Sequence, residues 1–124
     1  STDDTTDIVK VRQMITACEQ GQLHVIQTLL TESSRYASQQ DEATGLSPLM
    51  AAAKVGNGAL CQHLLDAGAP WNAIDRQGQC AGNFATTHQH WGVVNLLVDW
   101  GVRAELILGR LERRLRDAGI GNLE

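Results

Sequence analysis

The chain has 124 residues, 43% of them hydrophobic and 19% charged, which suits one folded domain and leaves little length for a second. Two prolines and 4% aromatics argue against a β-sandwich or barrel, and a net charge of −4 argues against nucleic acid as a general partner. No apolar stretch approaches the ~18 residues of a membrane-spanning helix, and the acidic start Ser1-Thr2-Asp3-Asp4 is unlike a secretory signal. A soluble, cytoplasmic or nuclear, mostly helical domain is expected.

In chain order, residues 1–6 are polar and predicted to be flexible. The opening Ser, in place of Met, is read as the start of a processed chain, compatible with a fragment of a longer protein. From residue 7 the chain repeats itself. Gly45 and Gly78, Ala52 and Ala85, Leu60 and Val93, Leu64 and Leu97, and Gly68 and Gly101 are each 33 residues apart. Ala17 and Ala52, Gly21 and Gly56, Val25 and Leu60, and Leu29 and Leu64 are each 35 apart, so the first connection is two residues longer. Three units follow, at about 7–40, 41–74 and 75–103.

The middle unit reads as a helix, a tight turn and a second helix. Ser47 is placed to cap a helix whose first residue is Pro48. Leu49, Ala52 and Ala53 line one face, the alanines admitting a close neighbour. Gly56 is predicted to end this helix, and Gly68 the next, which carries Leu60, Cys61, Leu64 and Leu65 at helical spacing. Asp75 to Gly78 suits a β-turn. In the third unit Cys80-Ala81-Gly82-Asn83 replaces Ser47-Pro48-Leu49-Met50, which predicts a short or irregular first helix. Beyond a predicted stop at Gly101, residues 104–116 carry Ile107, Leu108, Leu111 and Leu115 on one stripe. They are read as a capping or linker helix over the end of the stack, and 117–124 as a flexible tail.

A single hairpin of this kind cannot bury its apolar face, so the units must stack into a solenoid. The middle unit, Gly45-x-Ser47-Pro48-Leu49-Met50-x-Ala52-Ala53 followed by Leu64-Leu65-x-x-Gly68-Ala69, resembles the ankyrin repeat. The resemblance covers about residues 7 to 103 and implies an all-α ankyrin-repeat solenoid that binds a protein partner. Met50 stands where that family usually has His. Two stretches, Gly68 to Gly82 and Gly101 to Leu108, further resemble the N-terminal ankyrin segment of the fungal and plant arginine methyltransferases that modify the internal (δ) guanidino nitrogen. That resemblance implies an S-adenosylmethionine-dependent catalytic domain elsewhere in the parent protein. In that case this chain holds no cofactor, and its partner is a protein substrate or the parent's own catalytic domain. No G-x-G-x-x-G follows a strand pattern here, so no catalytic residue is carried over.

The remaining candidate chemistry is thin. Cys18, Cys61 and Cys80 are odd in number and lack a C-x-x-C spacing, so the first two are read as core residues of a protein in a reducing compartment. His88 and His90 would point apart on a helix, and with His63 they are read as surface or loop-bridging groups rather than metal ligands. Arg110, Arg113, Arg114 and Arg116 are offset by Glu105, Glu112, Asp117 and Glu124, so a solvated face is expected. By the ankyrin resemblance, Trp71, Ile74, Arg76 and Gln77 are partner-binding candidates on the finger between units, and Met50, Lys54 and His88 on the inner helices. Trp71 has a second reading, as packing between neighbouring fingers.

Overall fold

The computed structural model describes residues 2–117, with side chains described for 6–104, 113, 116 and 117. Six helices appear in order: α1 (Thr2–Gln20), α2 (Leu23–Glu32), α3 (Pro48–Val55), α4 (Gly58–Asp66), α5 (Ala81–Thr87) and α6 (Trp91–Asp117). A 3-10 turn, Ser34–Ala37, occupies the longer first connection, and there is no strand among the described residues. The fold is all-α. Helices pair as α1 with α2, α3 with α4 and α5 with α6, and α1, α3 and α5 stack side by side as an inner layer.

The inner layer is close-packed because its interior is small. Ala17, Ala51, Ala52, Ala53, Ala81 and Ala85 are all buried, and α3, sandwiched between α1 and α5, buries every residue from Pro48 to Ala53. Larger side chains on α2, α4 and α6 fill the space behind, among them Ile26, Leu60, Leu64, Val93 and Leu97. The predicted local signals act as read. Ser47 Oγ accepts the Met50 N–H at 3.1 Å, Pro48 opens α3, and Gly56, at φ 78°, ends it. In the third unit Asn83 Oδ1 accepts the Cys80 N–H at 2.9 Å, capping a first helix of only seven residues.

Two boundaries differ from the sequence reading. Helix α1 begins at Thr2, so it takes in residues 2–6, ahead of the expected start at residue 7. It meets the end of α2 and the first connection through ion pairs of Lys10 with Glu32 at 3.1 Å, Asp7 with Arg35 at 2.8 Å and Arg12 with Asp41 at 3.1 Å. Each such surface pair adds ~0.2–1 kcal/mol at most. The predicted stop at Gly101 is absent, because residues 104–117 prolong α6 without a break. A glycine inside a helix costs conformational entropy without ending it unless the following residues also turn away. The stripe Ile107, Leu108, Leu111 and Leu115 falls on side chains outside the described residues, and the predicted tail lies outside them from residue 118 onward.

Candidate partner-binding surface

Two loop systems run along the edges of the stack. At one edge are the fingers that precede α3 and α5. Within the second finger, Gly78 N–H donates to Asp75 O at 3.1 Å, and Asp75 Oδ1 accepts both the Gln77 and Gln79 N–H groups at 2.9 Å. This finger is bonded to its predecessor. Arg76 N–H donates to Thr44 O at 3.2 Å, the Arg76 guanidinium donates through Nε to Glu42 O at 2.8 Å and through its terminal nitrogen to the same oxygen, and Gln40 Nε2 bridges Gly45 O and Ile74 O at 2.7 Å each. The first finger is anchored in turn by Asp41. Partial burial alone would raise its carboxyl, but hydrogen bonds from Thr44 and Arg12 outweigh this and hold it below the usual carboxylate range.

On that braced loop Ile74 is 58% exposed, beside exposed Arg76 and Gln77. Backbone bonds therefore fix the loop while an apolar side chain stays in water.

At the other edge are the turns between inner and outer helices. His90 Nε2 lies 3.0 Å from Lys54 O, and the His90 ring fills the space over Gly56, where an added Cβ would fall 2.5 Å from Nδ1. The His88 and His90 rings stack at 6.2 Å. His90 thus bridges two turns, and His88 stacks on it within its own turn. Lys54 and His88 are exposed here. Val55 and Trp91 are exposed as well, on consecutive turns joined by the His90 bond. The sequence reading missed both. The available signal was that Val55 directly precedes a helix-ending glycine and Trp91 opens a helix, positions at the rim of a stack.

The seven residues predicted to bind a partner thus separate into groups. Ile74, Arg76 and Gln77 share the finger edge, and Lys54 and His88 share the turn edge. The length of an eight-residue helix, ~12 Å, lies between them. Met50 needs correction: it is 1% exposed, and its sulfur accepts the Ser47 N–H at 3.4 Å, closing the cap from inside. A thioether that must fill a core gap and satisfy a helix start has no face left for a partner. Trp71 is half-buried, its ring edge lying where a Cβ on Gly101 would come within 3.0 Å. Its ring packs on α6 at Gly101.

Two buried thiols are the groups that burial shifts most among the described residues. Burial, then Cys61 and Glu19 nearby, push the Cys18 thiol up to about 12, and burial does the same for Cys61. No group of three or more His, Cys, Asp or Glu suited to a metal occurs among the described residues, and none of their helices is long and apolar enough to cross a membrane.

Stacked helical hairpins with braced fingers define a solenoid whose working part is a surface rather than a cleft. The chain belongs to the ankyrin-repeat family: the family model for three ankyrin repeats matches residues 14–106. No curated protein matches the chain. Among solved structures it is similar to a chain of the complex between a predatory endopeptidase from Bdellovibrio bacteriovorus and an immunity protein. The identity is 31% and the TM-score 0.67, over 72% of this chain and 46% of that one. This chain therefore matches less than half of that neighbour's length.

Proposed function

We propose that this chain is a non-catalytic protein-recognition module, serving as the N-terminal ankyrin segment of an S-adenosylmethionine-dependent arginine δ-N-methyltransferase in substrate or interdomain recognition. The recognition half rests on one observation above all, an Ile74 side chain 58% exposed on a finger already braced by Gln40 and Arg76. A loop ordered before binding loses little further entropy when it docks, so its apolar contact goes into affinity. Lys54 and His88 supply polar contacts at the opposite edge.

The finer half is supported by the sequence of the two stretches 68–82 and 101–108. On that reading S-adenosylmethionine belongs to the catalytic domain, this chain holds no cofactor, and the protein acts in the cytoplasm, the nucleus or both.

Calorimetric titration of the chain with the catalytic domain of such an enzyme, alongside methylation assays on arginine substrates, tests both halves. Binding is expected, and Ile74→Asp should weaken it about tenfold, since an apolar contact at the centre of an interface carries a disproportionate share of affinity. The melting temperature of that variant should stay unchanged. Neither binding nor altered substrate choice would remove the methyltransferase half. A second reading, a stand-alone adaptor or inhibitor of an unrelated protein, draws on the similarity to a chain from a complex that contains an immunity protein. It would be favoured if Ile74 mattered for another protein partner and not for the methyltransferase domain.

A further inference from the structure

The face that each repeat turns toward its successor is covered in the second repeat and bare in the third. In the second repeat that face carries Ala53, Cys61, Leu65 and Ala69, none more than 4% exposed. The positions 33 residues on carry Thr86, Val94, Val98 and Val102. Thr86 is exposed, Val94 is half-buried, and Val98 and Val102 are 57% and 51% exposed. Trp91, 57% exposed, stands two helical turns before Val98 on the same side of α6. An apolar stripe thus runs along one face of one helix, the mark of an interaction surface. A following repeat would have to fold back at Gly101 to cover it. Instead α6 continues to Asp117, carrying the chain ~24 Å past Gly101 along the helix axis.

We propose that a second copy of this chain packs on this face, with the two α6 helices antiparallel. The stripe is self-complementary in that arrangement. With the two-fold axis beside residue 100, Val98 meets the partner's Val102, and Val102 meets the partner's Val98. Asp99 and Arg103 lie on one flank of the stripe, both exposed and neither in an ion pair among the described residues. Antiparallel pairing sets like flank against like flank, so Asp99 lies ~3 Å along the axis from the level of the partner's Arg103, within reach of its long side chain, and the reverse pair forms with it. A parallel pair would leave all four charges without partners. This is the reciprocal contact of an isologous dimer. The helices overlap from about residue 91 to 109, a seam ~28 Å long. A single helix–helix seam buries less than the ~1,600 Å² of a standard interface, the range of weak, reversible association, and a dissociation constant of roughly micromolar order is expected.

Sedimentation equilibrium of the whole chain over a wide concentration range tests the proposal. The mass should rise from 13.4 kDa toward twice that value. Val98→Asp combined with Val102→Asp alters only exposed positions and should raise the dissociation constant about a hundredfold, with helicity by circular dichroism unchanged. Asp99→Arg alone and Arg103→Asp alone should each weaken the dimer about tenfold, and the double exchange should restore it. A mass that stays at 13.4 kDa throughout overturns the proposal and leaves the face to a different protein. A dimer indifferent to Val98 and Val102 overturns it as well, and a double exchange that fails to restore association overturns the antiparallel pairing.

Discussion

Equivalent residues in successive repeats obey different rules because only some of them have a repeat stacked above. Gly56 and Gln89 occupy the same turn position, 33 apart, and both take left-handed backbone, at φ 78° and 61°. Over Gly56 lies His90, so a side chain there would collide as well as strain. Gln89 belongs to the last repeat and is exposed, so a side chain fits and only the backbone cost remains. Left-handed backbone costs an ordinary residue ~1–2 kcal/mol. Gly56→Ala should therefore lower stability by more than this, ~2–3 kcal/mol once His90 is displaced. Gln89→Gly should raise it by about 1 kcal/mol or less, because glycine also gains freedom in the unfolded chain. Urea denaturation of the two variants checks both signs, and a stabilising Gly56→Ala would contradict the role given to His90. Gly56 was legible in the sequence as a helix stop. The strained Gln89 was not, since its backbone conformation follows from the turn geometry that the other repeats impose.

A helix end is a property of its surroundings as much as of its residues. Gly68 and Gly101 are aligned in sequence, yet Gly68 lies past the end of α4 and Gly101 is buried inside α6. What distinguishes Gly101 is the Trp71 ring, whose edge would meet an added Cβ at 3.0–3.3 Å. The glycine serves close approach of a large side chain rather than a turn. Gly101→Ala should change stability by less than about 1 kcal/mol in either direction, helix propensity offsetting the tightened contact. Gly101→Val should cost ~1–3 kcal/mol by pushing the indole away. Chemical denaturation measures both, and equal effects for the two would argue against the ring contact. The finger is the opposite case. Asp75 to Gly78 was readable as a turn from its residues alone, but the brace from Arg76 to Glu42 joins residues 34 apart in sequence and depends on the stack.

One continuous core spans the three described repeats, and its two buried cysteines report on the first two of them. Cys18 sits in the first repeat and Cys61 in the second, within a single cluster of buried residues. Both thiols are raised from 9.0 to about 12 in the folded chain. Between those values the unfolded thiols ionise while the folded ones keep their protons. Stability is then full below about pH 9 and falls as pH rises toward about 12. Urea midpoints at rising alkaline pH should show this fall, smaller in Cys18→Ala. A thiol reagent at mildly alkaline pH should modify partly exposed Cys80 in the native chain and reach Cys18 and Cys61 together, only on unfolding. Separate exposure of the two would mean that the repeats open one at a time.

Periodic residues such as Leu60, Leu64 and Ala52, and local signals such as Ser47-Pro48 and Gly56, sufficed to specify three stacked hairpins, because each acts within a few residues of its own position. The surface answered to longer-range physics. Whether Met50 faces a partner or the core, whether Trp71 leaves its finger for α6, and whether Gly101 stops a helix depend on atoms brought close by stacking. Burial is a relation between distant parts of a chain, and a repeat with no neighbour on one side keeps the pattern of its siblings while exposing what they cover.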